Sequence, residues 1–97
     1  MSKFSLIRDW ARERNIIEGA TQASQAEKLF EENGELVRAL IEDDIDKFVD
    51  AVGDIVVVLT ILAEMKDVSI EDCISTAYEE IKDRKGKMVD GVFVKEV

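Results

Sequence analysis

The sequence predicts an all-α fold: a four-helix bundle-like domain with a short extended or hairpin tail at the C-terminus. Three observations predict it. The chain has no proline and only five glycines, so little interrupts a helix. Apolar residues recur at three- and four-residue spacing through four successive stretches. Residues suited to N-caps stand in front of three of those stretches.

The first predicted helix runs from Lys3 to Ile16, with Phe4, Ile7, Trp10 and Ala11 on one face. Trp10 could stack on a nucleobase, but a lone tryptophan at helical spacing favours the core. Gly19-Ala20-Thr21 breaks that helix, and Thr21 is the N-cap of the next. The second helix carries Ala26, Leu29, Phe30, Leu36, Val37, Leu40 and Ile41 as an amphipathic stripe. Asp43 or Asp44 caps the third, whose stripe runs from Ile45 through Phe48, Val52, Ile55 and Leu59 to Leu62. The β-branched run Ile55-Val56-Val57-Val58-Leu59 would pass for a buried strand if read alone. The helical period enters it from Ile45 and continues to Met65 without a turn signal, so helix is expected. Ser69 and Asp72 resemble a capping box opening a fourth helix to about Lys85, with Gly86 as its C′ residue. In the tail, Asp90-Gly91 separates two apolar pairs, which suits a small hairpin or an extended arm.

Ninety-seven residues make one domain, spanning 1–97. A net charge of −9, from 22 acids against 13 bases, repels a phosphate backbone. Neither a nucleic-acid polymer nor an anionic membrane is an expected partner. The absence of histidine excludes histidine-based catalysis, and the single Cys73 supports neither a disulfide nor a redox pair. The longest apolar run, Ile55 to Ala63, is too short to span a bilayer. The N-terminus lacks the apolar core of a signal peptide, so a cytoplasmic location is expected.

The acids are not scattered evenly. Glu32 and Glu35 stand three apart in the second helix, and Asp50 and Asp54 four apart in the third, so each pair shares a helical face. Like charges at that spacing repel, and two such pairs on adjacent helices repel further. Hard divalent cations remove the penalty, and a phosphate-bearing substrate suits magnesium. Either pair alone is common on a solvated face. Two glycines sharpen the reading, because Gly34 and Gly53 directly precede Glu35 and Asp54. Each costs about 1 kcal/mol against alanine inside a helix, so a close approach of the two helix backbones is expected there. Helix three is also apolar nearly all round beyond Asp54, with Val57, Val58 and Ile61 adding to the stripe. The expectation is that a second copy covers the extra side, giving a homodimer or homotetramer.

These features resemble the MazG-like all-α nucleotide pyrophosphohydrolases. In that family Glu-x-x-Glu on one helix is followed by Glu-x-x-Asp on the next. Gln25, Lys28, Leu29, Glu32, Gly34, Glu35 and Leu36 match the first segment, and Gly53, Asp54, Ile55 and Val56 the second. One departure stands out: Ala51 occupies the position, three before Asp54, where the family usually carries a metal-binding glutamate. Asp50 is the available substitute on the same face.

The resemblance implies magnesium-dependent cleavage of a nucleoside triphosphate between its α- and β-phosphates, with manganese a possible substitute. It implies Glu32, Glu35 and Asp54 as metal ligands, Asp50 as a fourth, and Glu35 as a candidate for orienting or deprotonating the water. Gln25 and Lys28 lie on roughly the same face and could reach the base or phosphates. Lys82, Arg84, Lys85 and Lys87 could bind pyrophosphate, although cations at a helix C-terminus are favourable in any case. The chief alternative is a non-catalytic acidic helical module that dimerises. A carboxylate-bridged metal-storage bundle is weaker, because such sites usually include histidine.

Overall fold

The structure is a computed structural model and describes residues 1–96. Among these, five helices precede a two-stranded hairpin. Helix α1 spans Lys3–Glu13, and Ser2 caps it by accepting from the Ser5 amide at 3.1 Å. The expected continuation to Ile16 does not form. Asn15 adopts φ 58°, a left-handed conformation that asparagine tolerates better than most residues and that no helix can pass through. A separate short turn, α2 (Ile16–Gly19), follows, so the helices number one more than the sequence predicts.

Helices α3 (Gln22–Glu42) and α4 (Ile45–Met65) are the long ones. Thr21 caps α3 in a reciprocal box with Ser24. Both Asp43 and Asp44 act at the next boundary. Asp43 ends α3 at φ 53°, and the Asp44 side chain caps α4 by accepting from the Lys47 amide at 3.1 Å. So short a connection forces the two helices antiparallel. The Ile55–Leu59 run is continuous helix. Helix α5 spans Ile70–Ile81, with the Ser69 side chain accepting from the Asp72 amide.

Helix α5 stops four residues short of the expected Lys85, and Gly86 is not its C′ residue. Gly86 instead opens β1 (Gly86–Val89), which pairs antiparallel with β2 (Val92–Lys95). A Cβ at Gly86 would collide with the Val94 carbonyl and the Phe93 ring, so the close cross-strand approach requires glycine. The tail is therefore the hairpin rather than the extended arm. Asp90 and Gly91 both take positive φ, 50° and 81°, as a two-residue type I′ turn demands.

Helix α4 lies between α3 on one side and α1, α2 and α5 on the other. This overturns one expectation. Val58 and Ile61 are not surplus apolar surface awaiting a second copy; they are buried within the chain, together with Ala11, Ala51, Ala63 and Ile70. The helices read as too few to cover α4 do bury Val58 and Ile61, while Val57 is half-buried and Leu59 remains 36% exposed. Trp10 also departs from its expected core position. It is 43% exposed, with the Arg14 guanidinium 4.8 Å from its ring centroid.

An ion network ties α1 to this frame. Arg8 donates two hydrogen bonds, at 2.7 and 2.8 Å, to the two carboxylate oxygens of Glu71 on α5. Arg8 and Arg12 also pair with Glu64 on α4. The Arg8 hydrogen bonds hold the Glu71 carboxyl down to about 2, from an ordinary 4.5. A depressed acid contributes stability that is complete above its unfolded pKa and disappears as pH falls through its folded one. Thermal melts should therefore show a Glu71-dependent loss of stability between about pH 4.5 and pH 2. In Glu71→Gln that part of the acid destabilisation should be absent, and an identical pH profile in the variant would refute the assignment.

Candidate functional site

Antiparallel packing of α3 on α4 brings the acids of both helices to one place. Glu31, Glu32 and Glu35 from α3 and Lys47, Asp50, Ala51 and Asp54 from α4 line a single cleft of about 440 Å³. That volume falls within the roughly 300–1,000 Å³ of small-molecule sites. All four acids implied as metal ligands, Glu32, Glu35, Asp50 and Asp54, are in it.

The Glu32 side chain is only 16% exposed. Burial pushes its carboxyl above the ordinary 4.5, and the nearby Asp54 pushes it further in the same direction. Lys28, with its ammonium 3.9 Å from a Glu32 oxygen, pulls the other way, and Asp50 and Glu35 add smaller repulsions. An ionised Glu32 is therefore disfavoured by burial and by its acidic neighbours together. Glu35 is at the wet rim, 4.0 Å from the Arg38 guanidinium.

Such a donor set, all hard oxygen and mutually repelling, fits a magnesium ion chemically. Its convergence is incomplete: among the described residues no three acidic or thiol side chains stand close enough to hold a metal as they are. Ala51 is buried in the same cleft. A glutamate at that position would add an oxygen donor from the α4 wall, which Asp50 can offer only from one residue aside.

Other expected site residues fall elsewhere. Lys28 is beside the cleft through Glu32, but Gln25 is buried, with its side-chain oxygen lacking any protein hydrogen-bond partner. Lys82 pairs with Glu79 at 2.7 Å. Arg84 and Lys85 line a separate depression with Glu80, Asp83, Lys95 and Glu96, and Lys87 lies on β1. None of these four cations lines the acidic cleft. The cleft's own cation is Lys47, which the sequence reading missed together with Glu31. The signal was present: Lys47 stands three before Asp50, and Glu31 four before Glu35.

The glycines do not behave as expected either. A Cβ at Gly34 or Gly53 would meet nothing within 4 Å, so neither marks a close approach of α3 to α4.

Fold and cleft together define an all-α protein with a carboxylate-lined site between two antiparallel helices. Residues 20–89 match the MazG nucleotide pyrophosphohydrolase domain, and the chain belongs to that family. A protein of Haemophilus phage HP1, described as an uncharacterized 18.2 kDa protein in the rep-hol intergenic region, is 39% identical over 62 residues. The match covers 64% of this chain but only 38% of that protein. No solved structure matches the chain.

Glu32→Gln keeps the shape of the side chain and removes its charge. In metal-free protein at neutral pH it should raise the melting midpoint, each ~1 kcal/mol of relieved repulsion moving it by about 4–8 °C. A midpoint lowered by the substitution would show that the crowded acids do not strain the fold.

Proposed function

We propose that the chain hydrolyses nucleoside or deoxynucleoside triphosphates to the monophosphate and pyrophosphate. The observation that carries this reading is the cleft that gathers Glu32, Glu35, Asp50 and Asp54, in which burial and then the neighbouring Asp54 raise the Glu32 carboxyl, in a chain of a family whose name is that activity. Glu32, Glu35, Asp54 and Asp50 would hold magnesium, or manganese in its place. Bound there, the ion would neutralise triphosphate charge and polarise the phosphorus under attack.

The remaining work falls to the chain's own groups. Hydrolysis adds water to the α-phosphorus and breaks its bond to the bridging oxygen, so pyrophosphate leaves with that oxygen. Glu35, exposed at the rim 4.0 Å from Arg38, would orient the water and accept its proton where it is not held by the ion. Lys28 and Lys47 are the cations beside the acids and would meet the phosphates in place of the distant C-terminal cluster. Base and sugar preference depend on groups outside the carboxylate set. The chain would act in the cytoplasm; among the described residues no helix is long and apolar enough to cross a membrane.

A second reading, a non-catalytic acidic helical module, draws on the incomplete convergence of the carboxylates. One assay separates them. Pyrophosphate release from a panel of nucleoside triphosphates should require magnesium, and should fall by at least ~100-fold in Glu32→Gln and in Asp54→Asn, in the range of a lost transition-state contact. Both variants should retain wild-type helicity. Full turnover in either removes that residue from the ligand set, and no release from any triphosphate favours the module.

A further inference from the structure

Gln25 carries a buried polar group that the fold leaves unused. The residue lies on α3 with 9% of its surface exposed, and its side-chain oxygen is closed off from solvent. Among the described residues, that oxygen is the only buried side-chain nitrogen or oxygen with no hydrogen-bond partner. Thr60, the other buried polar residue, donates to the Val56 carbonyl at 2.7 Å. An acceptor stranded in this way costs stability, and an apolar side chain of similar shape would serve packing better.

The position of Gln25 relative to the acids follows from the helix. Gln25, Lys28 and Glu32 stand at spacings of three and four, so they share one side of α3. Seven residues separate Gln25 from Glu32, about 10 Å along the axis at a rise of 1.5 Å per residue. That is about the length of a nucleoside from its phosphate to the far edge of its base. Helix α4 runs antiparallel, so seven residues beyond Asp54 bring Ile61 to the level of Gln25, with Val57 and Val58 between. Val58 and Ile61 are buried. Cations stand toward the other end of the pair, where Lys47 lines the cleft and Arg38 is 4.0 Å from Glu35. The α3–α4 pair thus grades from charged to apolar, with one unpaired amide at the apolar end.

We infer that the nucleotide lies along this pair with its triphosphate toward Lys47 and Arg38, and that Gln25 reads the edge of its base. The inference rests on the hydrolytic reading above, to which it adds the direction of the substrate and a residue that selects among bases. Apolar walls with a few placed polar groups are what ligand pockets offer. Every common base presents an N–H on its pairing edge from which a glutamine oxygen accepts. That N–H stands outside the ring in adenine and cytosine and within it in guanine, thymine and uracil. An oxygen at a fixed depth therefore meets the two classes differently. Turning toward the cleft breaks no bond to the buried oxygen, because it has none. A base that donates to it relieves a cost the free protein carries.

Thermal melts and steady-state kinetics of Gln25→Leu, in the full chain with magnesium, test this. The substitution keeps the bulk of the side chain and removes the amide. The melting midpoint should rise. KM for the preferred nucleoside triphosphate should rise by roughly 2- to 10-fold, the range of one lost neutral hydrogen bond, with a smaller change in kcat. The spread of KM among bases should narrow. Inhibition by inorganic tripolyphosphate, which has no base, should match wild type. A variant that moves the midpoint but keeps the wild-type KM and base preference overturns the inference. So does a tripolyphosphate inhibition constant that weakens in step with KM. Gln25→Met repeats the test if Gln25→Leu does not fold, and a chain that tolerates neither makes Gln25 a core residue and overturns it too. Wild-type turnover with unchanged preference in the variants removes this inference alone. No wild-type turnover of any triphosphate removes the hydrolytic reading and this inference with it.

Discussion

Helix α3 lies antiparallel on α4, and the rest of the molecule is arranged around that contact. The register is set by the short connection at Asp43-Asp44, where one aspartate terminates α3 and the next caps α4. Small buried residues, Ala39 on α3 and Ala51 on α4, let the helices come together. Because the helices run in opposite directions, residues on one flank of α3 face residues on the matching flank of α4. Glu32 and Glu35 thereby meet Asp50 and Asp54, although about fifteen residues of chain separate the pairs.

That meeting is unfavourable by itself. Burial first, and the meeting with Asp54 second, raise the Glu32 carboxyl, and stability must come from elsewhere. It comes from the C-terminal half of α4, where Val58 and Ile61 are enclosed by the surrounding helices. The Arg8 bond to Glu71 and the arginine pairs with Glu64 keep α1 against α4 and α5. Opposite charge is thus concentrated at one end of α4 and like charge at the other.

Much of this is legible along the chain, and the failures have specific causes. Caps could be read because their chemistry is local: Thr21, Asp44 and Ser69 each act within three residues. The Asp90-Gly91 turn could be read for the same reason. Asn15 was missed because a left-handed residue inside an apolar-periodic stretch leaves the period intact while cutting the helix. The end of α5 was misplaced because Gly86 serves equally well as a helix stop and as a strand residue in close cross-strand contact. Only the partner strand distinguishes the two.

By itself the sequence determined the all-α class, the paired acids on single helical faces and the family to which they point. These follow from spacing, and spacing is preserved when a chain coils. The tertiary structure decided which faces meet. It put Val58 and Ile61 inside, left Trp10 and the Phe30 to Ile41 stripe outside, and kept Lys82, Arg84, Lys85 and Lys87 out of the acidic cleft. A periodic pattern says that a face is apolar, but not which helix covers it. That depends on the directions in which short connections send successive helices, and no single helix carries the information.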